Sequence, residues 1–442
     1  MVGWLVDFIF VPSLWQGTQP SAFTFNDRKN AASVSNLTYS LMEPNKGHIR
    51  FLDQIRGIAI LAVFVYHAFG AAWGCSEIPW NHWFRSMEAV KNLNIFLPLV
   101  FGWTGVAVFF VVSGFCVHMS YLKSSPDDLR GFFIRRFFRI YPPYLLALFV
   151  FTFLWPSTRL TFHSFFDWIQ VGSHVGLIHN LNKNTFFQIN PSFWSIAVEA
   201  QLYLIYPLLL LIVRRIGWQR ATVGLCVLEI TMRGTAGIYE TATAKQISTW
   251  FMYSPLCYWF SWGIGAIVAD AYFHRRKLPF LSVKPFFWLL LGVGTYFVKP
   301  FVTFTFFFFA LFTAALISKL LRDDRKIPYQ NVLFDHLRIV GMCSYSMYLL
   351  HQPLLISLLI FLQDHKVNMH FQPVVLVLIF FSTYPIVLAV SWIYFRYCET
   401  PSIALGKKLL NKTRGFGPVD KGVGDVPPVV KTGGWLRGFL VG

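Results

Sequence analysis

An arginine and a histidine eleven residues apart, Arg56 and His67, lie in one apolar stretch, FLDQIRGIAILAVFVYHAF, from Phe51 to Phe69. Read as a helix, that spacing is close to three full turns, so both side chains project from one face. At about 1.5 Å of rise per residue they stand roughly 16 Å apart along the axis. Ionisable groups inside an apolar span are costly, so such a pair marks a candidate site. Imidazole titrates near neutral pH, which suits His67 to take a proton from a hydroxyl and pass it on. A carboxylate, Glu199, interrupts a second apolar stretch, PSFWSIAVEAQLYLIYPLLL. In those surroundings it is neutral, paired or wet. Two readings stand for it: a carboxylate that orients the His67 imidazole, or a hydrogen bond that locks two helices.

A third constellation is basic. Arg135, Arg136 and Arg139 fall within five residues of RRFFRIYPPY, and Arg136 and Arg139 are one helical turn apart. Topological anchoring and contact with anionic lipid would account for such a cluster. A phosphate clamp would too, because guanidinium forks donate paired hydrogen bonds to phosphate. Three arginines so close exceed what orientation alone requires, which favours the clamp. In GWTGVAVFFVVSGFCVH, Gly102 and Gly105 read as close helix contacts. Ser113, Gly114 and Phe115 read either in the same way or as a thinned helix beside a substrate channel. His351, in YSMYLLHQPLL, is a second mid-span histidine, placed with the substrate-channel residues and ranked behind His67, because a lone buried histidine is more often a packing residue; His118 ranks lower still. No phosphate-binding glycine loop, metal-ligand cluster or nucleophile elbow occurs.

The elements that must position these groups are membrane spans. The chain has 442 residues, 55% of them hydrophobic and only 13% charged, about half the charged share of a soluble domain. Apolar runs recur at 57–75, 98–120, 139–156, 194–213, 221–239, 250–272, 285–298, 301–318, 338–361 and 372–395. They predict an all-α, polytopic bundle of about ten transmembrane helices. With the N-terminus inside, 29 of the 38 lysines and arginines fall on the inner side, which predicts both termini cytoplasmic and a cell-membrane location. That distribution accounts for the net charge of +18 without any nucleic-acid partner. Six dispersed cysteines with no C-x-x-C pair argue against a disulfide framework or a metal site. Residues 1–50 read as an N-terminal cytoplasmic tail, 51–401 as the transmembrane domain, and 402–442 as a basic, flexible tail. The longest outer connection, about 157–193, is the external segment large enough to help shape a substrate mouth.

Taken together and in order, LDQIRGIAILAVFVYH, GVAVFFVVSGF, RRFFRIYP, WSIAVEAQLYLIYP, SYSMYLLHQP and the terminal CETP resemble the integral-membrane acyltransferase 3 family. That group comprises O-acetyltransferases of sugars and cell-surface polysaccharides. The likeness covers about residues 50–401. It implies a bundle of some ten helices that moves an acyl group, with acetyl the expected one, from cytosolic acyl-CoA to an acceptor hydroxyl. Acyl-CoA is then a substrate, and no permanently bound cofactor is expected. The resemblance implies His67 as general base and Arg56 as its partner in the arginine–histidine motif. Arg136 and Arg139, with Arg135 beside them, are implied as the grip on the CoA phosphates. Glu199 and Ser113-Gly114-Phe115 fall where the family has other signature residues. Ala107 and Gln54 depart from its usual polar or acidic residue and its usual glycine. The expected partners are acyl-CoA, a carbohydrate or glycosylated acceptor, and membrane lipid. The rival from another class is a secondary transporter with His67 and Glu199 as a proton relay.

Overall fold

Apolar residues on every side of a helix bury it among other helices or in lipid, and the computed structural model is built from such helices. It describes residues 49–72, 97–124, 128–276, 278, 281–323, 331–365 and 373–413. The N-terminal tail, the first outer connection with Arg85 and Lys91, and residues 414–442 lie outside the described residues. The helices are α1 (Arg50–Ala72), α2 (Gly105–Leu122), α3 (Leu129–Phe149), α4 (Phe165–Val175), α5 (Phe193–Thr243) and α6 (Trp259–Phe273). They continue with α7 (Pro285–Tyr296), α8 (Thr305–Asp323), α9 (Val332–Met342), α10 (Ser344–Asp364), α11 (Pro373–Tyr394) and α12 (Thr400–Thr413). No strand occurs among the described residues.

Six helices are long and apolar enough to cross a membrane, or seven if α9 and α10, bent by 78°, form one span. The ten expected runs differ from this at three places. The runs 194–213 and 221–239 are joined in the 51-residue α5, which breaks at Gly217, where φ is 81° and ψ 160°. That left-handed backbone is open to glycine and strained for other residues. The helices in the other two runs, α6 and α7, are 15 and 12 residues long, about 22 and 18 Å, against a hydrocarbon layer of about 30 Å.

Polar side chains set the helix starts. Asp128 caps α3 by accepting from the Gly131 N–H at 2.8 Å, and Asn331 caps α9 through the Leu333 N–H at 3.0 Å. Gly105 lets α2 meet α1 closely: a Cβ there would lie 2.5 Å from the Ala59 carbonyl.

Prolines decide several neighbours. A proline has no N–H, so the carbonyl four residues earlier loses its helical partner. Pro142 frees the Phe138 carbonyl of α3, and Ser402 Oγ of α12 donates to it at 2.6 Å. Pro353 frees the Leu349 carbonyl of α10, and Asn190 Nδ2 donates to it at 2.8 Å. In lipid each orphaned carbonyl would cost several kcal/mol, so these contacts fix which elements adjoin. Beyond this bond the chain stays helical to Thr413, packed on α3 where Gly406 abuts the Phe138 ring.

The charged run 221–239 is tolerated because its charges are paired. Arg233 Nε donates to Glu229 Oε1 at 2.8 Å, and its other nitrogens donate to the carbonyls of Thr303 at 2.8 Å and Cys257 at 3.1 Å. Ser261 donates to the same carboxylate through its N–H at 2.9 Å and its hydroxyl at 2.6 Å. Every oxygen of the carboxylate and every guanidinium nitrogen thus has a partner, which offsets the cost of burying the pair.

The connection between α3 and α5 is ordered around two stacked imidazoles, His174 and His179, with ring centroids 4.0 Å apart and planes 5° from parallel. Both lie outside the candidate spans. Burial lowers His174 from the usual 6.5 to about 4. Burial, and then the neighbouring His174, hold His179 well below its usual value too. Both rings are therefore neutral when folded and protonate more readily when unfolded. Their contribution is complete above about pH 6.5 and is lost as pH falls from there toward 4. Thermal unfolding in detergent is expected at a constant midpoint above pH 7 and at progressively lower midpoints below 6.5. His179→Asn flattens that acid slope; an unchanged slope refutes the assignment.

Candidate active site

α1 carries Arg56 and His67 into two different cavities. Arg56, toward the N-terminal end of α1, lines a cleft of about 730 Å³, named the inner cleft for that end of the helix, together with Ser113 and Cys116 of α2, Arg136 and Arg139 of α3, and Glu199 of α5. His67, toward the C-terminal end of α1, lines a cavity of about 1130 Å³, named the outer cavity for that end. The two adjoin: Val106 of α2 and Tyr348 of α10 line both. The Tyr348 hydroxyl lies 2.7 Å from Ser195 Oγ, which fixes the ring at the boundary.

The inner cleft holds three guanidiniums in three different states. Arg56 donates to Asp53 Oδ1 at 3.0 Å and to Cys116 Sγ at 3.1 Å. Arg139 pairs at 2.9 Å with Glu399, whose other oxygen accepts from Ser346 Oγ at 2.7 Å. Arg136 stacks over the Tyr203 ring at 5.9 Å and has no carboxylate within ion-pair distance among the described residues. Its donors are thus the ones with capacity left for an incoming anion. Arg135 is not among the residues lining this cleft; it reaches back at 3.5 Å to Asp128, the cap of its own helix.

A directed hydrogen-bond chain forms the other wall. Trp262 Nε1–H can only donate, and it donates to Ser113 Oγ at 3.2 Å. The Tyr203 hydroxyl donates to Glu199 Oε1 at 2.7 Å, so the Ser113 hydroxyl, 3.1 Å away, donates to Tyr203. Glu199 therefore faces the guanidinium cleft and not the His67 cavity; its bond to Tyr203 lies within α5, and the Tyr203 hydroxyl carries the link on to Ser113 of α2. Of the expected channel residues, Ser113 lines the cleft, whereas Gly114 and Phe115 do not. Helix α2 runs unbroken through them, and a Cβ at 114 would lie 2.0 Å from the Trp262 carbonyl, so that glycine serves helix contact. Phe115 is core.

The outer cavity is mostly aromatic. Trp103, Phe186, Trp194, Tyr253, Tyr258 and Phe306 supply its rings, and Ser192, Glu240, Gln246 and Gln352 its polar groups. Phe186, Phe187, Pro191 and Ser192 come from the long connection before α5, the segment expected to shape a mouth. Among the described residues, His67 has the ring of His351 as its neighbour here: its Nδ1 lies 3.0 Å from His351 Nε2. His351 stands behind it, with Nδ1 3.1 Å from the Met347 carbonyl and 2.9 Å from that of Tyr348. His351 is not itself a lining residue of either cavity.

Sequence reading did not single out Tyr348, Tyr203, Trp262 or Glu399, and it did not pair His351 with His67. The signal for Tyr348 was its i, i+3 spacing from His351, which puts the two on one face. Glu399 sat inside CETP, the weakest of the six motifs.

The model of the acyltransferase 3 domain matches residues 49–396. Nodulation protein 10 of Rhizobium leguminosarum is 28% identical over 270 residues, 56% of this chain and 66% of the relative. The peptidoglycan O-acetyltransferase OatA of Listeria monocytogenes is 26% identical over 182 residues, 38% of this chain and 25% of the relative. The chain thus spans less than two thirds of either relative's length. No solved structure matches it.

Proposed function

Because this chain belongs to the acyltransferase 3 family, we propose that it is a multi-pass membrane O-acyltransferase that transfers an acetyl group from acyl-CoA in the inner cleft to a carbohydrate hydroxyl in the outer cavity. One observation carries this reading: α1 presents Arg56 to one cavity and His67 to the other, and the two cavities meet at Val106 and Tyr348. The donor's phosphates pair with Arg136, beside Arg139 already paired with Glu399, while the thioester extends toward the shared boundary. The acceptor's apolar ring face lies on the aromatic walls, and its hydroxyls meet Ser192, Gln246 and Gln352.

His67 takes the proton of the attacking hydroxyl as its oxygen bonds to the thioester carbonyl carbon. The tetrahedral adduct then collapses, the C–S bond breaks, and the CoA sulfur leaves with the proton returned by the imidazolium. The products are an acyl ester and free CoA thiol. Placing donor and acceptor in adjoining cavities suits a bundle of about ten spans with both termini cytoplasmic in the cell membrane. Acyl-CoA would enter from inside and the glycan from outside. The acetyl choice is supported by the names of relatives, the Listeria O-acetyltransferase among them.

The test uses inside-out vesicles containing the full chain, supplied with acetyl-labelled CoA and a polysaccharide fraction. Label is expected to appear in the glycan in a linkage that mild alkali releases. Label that remains on CoA, or crosses the vesicle unchanged, refutes the proposal.

A further inference from the structure

The His67–His351 contact fixes which nitrogen of His67 can act, and it rests on the reading of His67 as the base. A carbonyl oxygen only accepts, so the nitrogen that bonds two of them carries a hydrogen. In His351 that nitrogen is Nδ1, at 2.9 Å from the Tyr348 carbonyl and 3.1 Å from the Met347 carbonyl. A neutral imidazole has one N–H, so His351 Nε2 carries the lone pair. The atom 3.0 Å from that lone pair is His67 Nδ1, which must be the donor. His67 also hydrogen-bonds the Val63 backbone four residues back. The other helical histidines that bond a carbonyl four residues back, His174, His274 and His365, do so through Nδ1.

From this we infer that His351 is a positioning residue that holds neutral His67 as the Nδ1–H tautomer, leaving the lone pair on Nε2 as the base. The relay runs from Nε2 of His67 through two rings to the backbone of α10. When Nε2 takes the acceptor's proton, the imidazolium Nδ1–H already has its acceptor in place, so no group has to turn during transfer. A carboxylate in this position would do the same and would pull harder on the proton. A neutral imidazole keeps the pair uncharged before the reaction, which a water-poor cavity favours. Pro353 gives the anchor its rigidity: it frees the Leu349 carbonyl for Asn190, tying α10 to the connection that forms the cavity mouth. Tyr348 and Ser195 brace the preceding turn.

His351→Leu keeps the volume and removes the acceptor; His351→Gln restores an acceptor oxygen at about the place of Nε2. His351→Leu is expected to lower kcat by roughly 10²-fold or more with the donor KM unchanged, and His351→Gln to recover kcat to within about tenfold of the parent. A packing role would move thermal stability in both variants alike and would not separate them in kcat. Nitrogen-15 spectra of the unmodified protein, labelled only at its 12 histidines, read the tautomer without any variant. The signal lost in His67→Ala is expected to show a protonated Nδ1 and an unprotonated Nε2. Full kcat in His351→Leu, no recovery in His351→Gln, or a protonated Nε2 at His67 each overturns the inference. Undiminished transfer by His67→Ala overturns the base assignment instead, a failure the tautomer spectrum distinguishes.

Discussion

His67→Ala is expected to lower kcat by about 10²–10⁴-fold, the range a positioned general base supplies. Binding of CoA should be unchanged, because the guanidiniums that meet the phosphates line the other cavity. The truncation also leaves His351 Nε2 without its donor at 3.0 Å, a loss of about 1–3 kcal/mol that lowers the unfolding midpoint by a few degrees without unfolding the chain. The variant should therefore purify as a folded membrane protein that binds CoA and does not transfer. The measurement is product formation beside CoA binding on the same preparation. Activity within tenfold of the parent would remove His67 from the mechanism.

The second large effect separates two arginines that look equivalent in the sequence. Arg136→Gln should raise the donor KM by about 10–100-fold, since a hydrogen bond to a charged group contributes about 1.5–3 kcal/mol and each 1.4 kcal/mol is tenfold. It should leave stability alone, because Arg136 has no carboxylate partner among the described residues to abandon. Arg139→Gln should do the reverse. Its partner Glu399 has no exposed surface, and stripping the cation 2.9 Å away strands a buried carboxylate at a cost of about 3–5 kcal/mol. Neutralising both, in Arg139→Gln with Glu399→Gln, should recover most of that stability in a double-mutant cycle. Donor titrations beside thermal unfolding read both effects. Equal KM changes in the two single variants, with equal stability, would show that the Arg139–Glu399 pair is not what the geometry implies.

Much of this was legible before any coordinates. Arg56 and His67 lie on one helix, so their shared face and separation follow from helical rise alone, and the structure gives each a cavity along α1. The run 221–239 holds two charged residues, Glu229 and Arg233, and nothing within it says how they are accommodated. Its tolerance depends on Ser261, Thr303 and Cys257, which come from other segments of the chain and leave no local trace. The run 139–156 contains Pro142 and Pro143, and α3 continues through them with Ser402, far along the chain, taking up the carbonyl that Pro142 frees. Glu199 was one helix away from His67 on paper; its rotation about α5 turns it to Tyr203 and the inner cleft.

By itself the sequence determined the material and the family: helices by apolar length, a membrane by the scarcity of charge, and the six ordered motifs by residue identity. These are local properties, each written in a few consecutive residues and in the period of one helix. Only tertiary structure decided that His67 faces His351, 284 residues away, that Arg139 is committed to Glu399 while Arg136 is not, and that two cavities meet at Tyr348. Those are pairings between helices. They are set by rotation and depth in the packed bundle, where a freed carbonyl or a buried charge admits few partners, and no period within a single helix encodes them.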